Sequence, residues 1–172
     1  IAVDGITFRV RRGQIFGFLG PNGAGKSTTI RMLTGILSPT SGAGRVSGYD
    51  IIRDRRQIKQ VIGYMSQKFS LYEDLSVREN LEFFASQFGI PGKETGVMVK
   101  KLLGQMRLTD KTDVLAAKLS GGMKRRLNMA CSLVHDPKII FLDEPTVGLD
   151  PVVRRDVWAV IEELNSEGKT II

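Results

Sequence analysis

Residues 20–27 read Gly-Pro-Asn-Gly-Ala-Gly-Lys-Ser, directly after the short apolar run Gln-Ile-Phe-Gly-Phe-Leu at 14–19. No other feature constrains the fold as tightly. The run predicts a buried strand that stops at glycine and proline. From Lys26 onward Ile30, Leu33 and Leu37 recur at helical spacing, and Gly35 sits where a C-terminal cap belongs. A strand feeding a glycine loop and then a helix can turn successive backbone N–H groups inward at a phosphate, because glycine permits both the angles and the close approach. In that reading Gly20, Pro21, Asn22, Gly23, Ala24 and Gly25 form the cradle. Lys26 reaches the β- and γ-phosphates, Ser27 binds Mg²⁺ through its hydroxyl, and Thr28 lies in the positive first turn of the helix. A chance glycine turn would not match all eight positions in this context.

Two further segments complete the chemistry. The continuous apolar run at 139–142 predicts a strand buried on both faces. Asp143 follows at its carboxyl end, where ligands gather in an open α/β sheet, and can hold Mg²⁺ through water. Glu144 is placed to orient or deprotonate an attacking water. An acidic pair that merely caps the turn at Pro145 is the plainer alternative, and it loses weight beside a phosphate loop. Ser66 and Gln67 follow at the end of another predicted strand, 61–65, and the Gln67 amide oxygen suits Mg²⁺ or the same water. The second segment, Leu119 to Met123, is weak as a bare pattern: Ser120 caps a helix whose apolar face is Met123, Leu127, Ala130, Cys131 and Val134. Yet Ser120, Gly121 and Gly122 also make an anion site, while the triphosphate is already held at Lys26. Two copies meeting head to tail, each covering the other's γ-phosphate, would account for a second, detached site.

The remaining chain suits one globular domain. It has 172 residues, 42% hydrophobic and 25% charged, and no apolar run approaches the roughly 20 residues of a spanning helix. Cys131 is the one cysteine and no signal segment opens the chain, so a reducing, cytoplasmic setting is expected. The net charge of +7 does not choose a partner; Arg53, Arg55, Arg56 and Lys59, and likewise Lys124, Arg125 and Arg126, read as solvated helix faces. Ser76 and Glu79 form a predicted capping box ahead of Val77, Leu81, Phe84 and Phe88, Pro91-Gly92 breaks that helix, and Val99, Leu102, Leu103 and Met106 mark another. Residues 68–130 therefore read as a helical lobe between core segments 1–67 and 131–172. Asp150 and Pro151 open a last helix with Val153, Val157, Val160, Ile161 and Leu164 inward, closed by Gly168 before a strand at 169–172. His135 reads as a solvated turn residue, Cys131 as a packed one and Trp158 as partial core.

Taken in this order and spacing, the segments resemble the ATP-binding cassette (ABC) family over essentially the whole chain. Residues 20–27 correspond to Walker A, Gln67 to the Q-loop, 119–123 to the signature, 139–144 to Walker B and 147–150 to the D-loop. The runs 141–151 and 64–69 further resemble ATPase subunits of bacterial export systems for drugs, antibiotics or lipids. The resemblance implies a P-loop NTPase of α/β class: a RecA-like core with an antiparallel β portion and a helical subdomain. It implies ATP and Mg²⁺ as ligands, Glu144, Gln67 and Lys26 as catalytic groups, and Ser27, Gln67 and Asp143 at the metal. A second ABC ATPase domain and a polytopic membrane permease are the implied partners, with nucleic acid not expected and the protein held on the inner face of the membrane. The coupling helix of the permease would enter a groove near Gln67. Met123 stands where the family usually has glutamine, and activity is expected to survive the change. The family's adenine-stacking aromatic is expected upstream of Ile1 and its switch histidine beyond Ile172, His135 lying on the wrong side of Walker B. A fragment with weak nucleotide binding and poor turnover follows. A soluble cassette acting on ribosomes or DNA would share these motifs, although a compact lobe rather than a long coiled coil joins Lys26 to Ser120. A dead cassette is disfavoured by intact Lys26, Asp143 and Glu144.

Overall fold

The structure, a computed structural model, describes residues 2–172. Its centre is a parallel sheet of β3 (Ile62–Met65), β4 (Ile139–Leu142) and β5 (Thr170–Ile171) in the order β3-β4-β5. Ile62 lies opposite Ile139 and Met65 opposite Leu142, and the ladder runs one residue further, with the Asp143 N–H donating to the Met65 carbonyl at 2.9 Å. In β4 Ile140 and Leu142 pack into one cluster and Phe141 into another, the alternation that pleating imposes on a strand covered on both sides.

One face carries α3 (Val77–Gln87), α4 (Gly92–Gln105), α5 (Gly121–Ser132) and α6 (Pro151–Ser166); their apolar stripes share a single core with Met65, Ile140 and Leu142. The other face carries α1 (Lys26–Leu33), α2 (Arg55–Val61) and the antiparallel hairpin β1 (Arg45–Val46) and β2 (Tyr49–Asp50), whose two-residue loop Ser47-Gly48 has φ of 53° and 88°. Positive φ at both loop positions matches the right-handed twist of a tight hairpin. No helix among the described residues is long and apolar enough to cross a membrane.

Helix ends follow their caps. Ser76 Oγ accepts from the Glu79 N–H at 3.2 Å while Glu79 Oε2 accepts from the Ser76 N–H at 2.7 Å, a complete capping box. Asp150 Oδ1 accepts from the N–H groups of Val152 and Val153 at 3.0 and 3.1 Å, with Pro151 in the first turn. Helix α1 closes earlier than its apolar spacing suggests: Gly35 at φ 71° lets its own N–H reach the Met32 carbonyl and that of Ile36 reach the Arg31 carbonyl. This pattern ends a helix in a left-handed residue, so Leu37 lies outside α1 and is 44% exposed.

Four other expectations need correction. Residues 14–19 are not a buried strand. They meet β5 through one parallel bridge, Ile15 to Ile171, and have no partner strand on their other side among the described residues; Leu19 is 97% exposed. Phe16 instead stacks on Phe8 and Phe18 meets both rings edge-on, with ring centroids 5.0 to 5.5 Å apart. His135 is half-buried rather than solvated, stacked on Phe88 at 3.7 Å, with Nε2 donating to the Ile62 carbonyl at 2.9 Å. Burial pushes its pKa below the ordinary histidine value. Trp158 points largely outward, at 43% exposure. Finally, Arg125 is buried at 5% exposure instead of lying on a solvated face. Helix α5 runs under the sheet, so positions on all its sides meet neighbours.

Candidate active site

Asn22, Gly23, Gly25, Lys26, Ser27 and Thr28 line a cavity of about 290 Å³ together with Ala2, Gln67 and Glu144. Gly25 caps α1 with φ of 84° and contributes no side-chain hydrogen bond to the first-turn N–H groups. Those groups and the positive end of the helix therefore face the loop. A Cβ at Gly25 would stand 2.3 Å from the Ala2 carbonyl oxygen, so glycine is required for the N-terminal segment to cross the loop at this distance. Lys26 Nζ donates to the carbonyls of Gly20 and Pro21 at 2.8 and 2.9 Å, which holds the ammonium over the cradle.

The elements that were far apart in sequence converge here. Ser27 Oγ donates to Asp143 Oδ1 at 2.9 Å across 116 residues, and Asp143 is buried at 4% exposure. Glu144 lies beyond the end of β4 with φ of 53°. Left-handed backbone, rather than the pleat, is what swings its carboxylate away from that of Asp143 and toward Gln67, whose Nε2 donates to Glu144 Oε2 at 2.7 Å. A non-glycine residue costs about 1 kcal/mol or more in that conformation, and such strain is concentrated where side-chain direction matters.

A hard divalent cation fits this oxygen set. The Ser27 hydroxyl and the Asp143 carboxylate are already within hydrogen-bond distance, and the Gln67 amide carries a further oxygen. No cluster of three or more His, Cys, Asp or Glu that could cage a metal occurs among the described residues. Mg²⁺ characteristically takes only one or two protein carboxylates and completes its shell from phosphates and water.

Ser120, Gly121 and Gly122 stand apart from the cavity around Lys26. Ser120 Oγ accepts from the Met123 N–H at 3.3 Å as the cap of α5, and Gly121 faces open space. Gly122 is a packing glycine, since a Cβ there would meet Val153 Cγ1 of α6 at 2.4 Å. Met123, in the place of glutamine, packs partly buried against the main core.

Sequence reasoning missed two contributors. Arg125 donates through Nη1 to the Gln67 carbonyl at 3.1 Å and through Nη2 to the Val147 carbonyl at 3.3 Å. The triple-basic run 124–126 looked like ordinary surface and gave no sign of this. Asn80, fully buried in α3, bonds the backbone of Tyr72, Leu75 and Ser76 and so shapes the segment that follows Gln67. A lone asparagine within an apolar helical stripe was the available signal.

Comparison with known proteins agrees with this geometry. The family described as ABC transporter matches residues 3–147. A probable multidrug ABC transporter ATP-binding protein of Escherichia coli (strain K12) is 44% identical over 99% of this chain, and 30% of that protein is covered. A Nod factor export ATP-binding protein I of Paraburkholderia xenovorans (strain LB400) is 46% identical over 99% of this chain and 56% of its own length. The chain thus spans 30% to 56% of the length of these curated relatives. Among solved structures, cbiO1 from Clostridium perfringens, part of the ABC transporter complex cbiONQ, superposes with a TM-score of 0.90 at 33% identity, covering 99% of this chain and 70% of that one. A dimeric ATP-binding cassette in a post-hydrolysis state with ADP and Pi gives 0.86 at 26% identity, covering 99% and 78%. With its phosphate loop, buried Asp143 and α/β core in this arrangement, the chain belongs to the ABC transporter family.

Proposed function

We propose that this chain is the ATP-binding and hydrolysing part of a transporter motor, an Mg²⁺-dependent ATPase of the export type. The observation that carries the reading is the pair of long-range contacts beside Lys26: Ser27 to Asp143 at 2.9 Å and Gln67 to Glu144 at 2.7 Å. In this reading the N–H groups of residues 20–28 and the Lys26 ammonium bind the phosphates. Ser27, Asp143 and Gln67 would hold the metal, which would neutralise phosphate charge. Glu144 accepts a proton from water as the water attacks the γ-phosphorus, the P–O bond to the β-phosphate breaks and ADP leaves, and Gln67 keeps that carboxylate in place.

The exposed α5 N-terminus would complete the site of a second cassette in a head-to-tail dimer, and a post-hydrolysis dimer among the structural relatives supports that assembly. Residues 68–130 would form the helical subdomain that meets a polytopic permease, with the protein peripheral on the inner face of the membrane. The names of the relatives, multidrug and Nod factor export, support export.

The test is to isolate the full-length protein carrying Glu144→Gln under ATP and Mg²⁺, which slows hydrolysis and holds the closed state, and to identify what travels with it. Recovery from membranes with a polytopic subunit establishes the motor. Recovery with ribosomes or DNA leaves the ATPase standing and removes the transporter.

A further inference from the structure

Among the described residues Arg125 is buried without a carboxylate partner. Its guanidinium lies 5.1 Å from the centre of the Phe69 ring, its two Nη atoms serve the carbonyls of Gln67 and Val147, and its buried Nε–H has no partner among those residues. Burial weakens its hold on the proton, and the nearby charge of Glu144 opposes that loss. A guanidinium has five N–H donors and is costly to bury with only some of them used. An apolar side chain would fill the space at lower cost, so what this residue adds is geometry: a rigid planar fork spanning two backbone segments.

Those two segments are the ones that place the reactive groups. Gln67 carries the amide that holds Glu144, and Val147 lies three residues beyond Glu144 in the turn leading to Asp150. The fork itself stands on α5, five residues after Ser120, about 7.5 Å along the helix axis. We propose that Arg125 is a positioning residue that makes α5 the rigid link between the Ser120 phosphate site and the Gln67–Glu144 pair. It rests on the reading of this chain as an ATPase. A movement of α5 when the Ser120 turn meets phosphate is then passed to both carbonyls together, and Glu144 is set against water only when that turn is engaged. Arg125 acts through the backbone of Gln67 and Val147 and touches no reacting atom.

The experiment is steady-state ATP hydrolysis by the full-length protein carrying Arg125→Gln, Arg125→Lys, Gln67→Ala, and Arg125→Gln with Gln67→Ala, alongside nucleotide affinity and thermal melting. Arg125→Gln is expected to lower kcat about 10-fold with KM and ATP affinity within about twofold, the signature of an interaction needed only in the transition state. Arg125→Lys, a point charge able to serve one carbonyl, should recover part of the loss. The double variant should lose less than the product of the two single losses, because the two residues act in one network of contacts. Unchanged kcat in both Arg125 variants overturns the proposal, as does a loss that multiplies with that of Gln67→Ala or only follows the unfolded fraction. If Arg125→Gln fails to fold, Arg125→Lys carries the same comparison with its own Gln67→Ala double variant. A wild-type protein that does not hydrolyse ATP would defeat the ATPase reading itself, a result distinct from any of these.

Discussion

Two helices of this protein begin with a turn that we propose binds an anion, and they are built in opposite ways. At α1 the cap is Gly25, which has no side chain to offer its own first turn, so the N–H groups are left to a ligand. Around it stand Gln67, Glu144 and the 2–3 segment, and the result is an open cleft lined by several segments. At α5 the cap is Ser120, whose hydroxyl is taken by the Met123 N–H, and Gly121 beside it opens to solvent. A phosphate at α1 would therefore meet several segments of one chain, whereas a phosphate at α5 would be touched on one side only. A helix dipole with its bare amides yields modest attraction by itself, and enclosure by further groups converts it into a site. In the proposed dimer each half-built turn is completed by a fully built one.

The largest test of that contrast removes chemistry from the built cleft. Glu144→Gln should lower kcat about 10³-fold, within the range for loss of a general base, while ATP affinity stays within about twofold. A rise in KM without a fall in kcat would make Glu144 a binding group instead. Next comes the packing that fixes α5 in place. Gly122→Ala drives a methyl into Val153, 2.4 Å away from its Cβ position, and should destabilise the fold by about 1–3 kcal/mol in chemical denaturation. Adding Val153→Ala should restore most of it. The adjacent Gly121 has open space, so Gly121→Asp should leave melting unchanged and act on charge alone. Hydrolysis should fall about 10-fold with ATP binding at Lys26 retained, because the carboxylate takes up the positive helix start itself and repels an incoming phosphate. If binding weakens equally, the two turns are not separate sites.

The smallest effect lies at the far end of α5, where His135 stacks on Phe88 and bonds the Ile62 carbonyl. Its pKa is lowered by burial, so the folded state binds fewer protons than the unfolded state just below the ordinary value. The contribution of the neutral ring is complete above about pH 6.5 and declines as pH falls through the unfolded value toward the folded one. Stability should fall between pH 7 and 5 with a slope of at most about 1.4 kcal/mol per pH unit from this group. His135→Phe should remove that part of the slope; an unchanged slope would show that His135 does not anchor α5 to the sheet.

Much of the molecule was legible because local chemistry and final position coincide. The capping box at Ser76 and Glu79 and the cap at Asp150 are contacts within one turn, and β4 announces itself by an unbroken apolar run that both faces can bury. Residues 14–19 misled because apolar character states a wish for burial, not how many strands are available to supply it. Leu37 misled because an apolar spacing does not record where a glycine ends the hydrogen-bond ladder. The β1–β2 hairpin escaped notice because its strands are only two residues each, too short to alternate, although Ser47-Gly48 fits a tight turn.

The sequence by itself carried the ligand class we propose. Eight residues in one contiguous loop shape their own backbone cradle, and short-range sterics suffice for that. It also placed carboxylates and an amide at strand ends, where a parallel sheet gathers them. Only the tertiary structure decided that Ser27 meets Asp143 across 116 positions, that φ of 53° turns Glu144 onto Gln67, and that Arg125 is sunk between two carbonyls instead of facing water. Those outcomes depend on which helix lies beneath which loop. A basic residue on α5 has the same sequence appearance on either side of the helix, and its environment is set by packing of segments far apart in the chain.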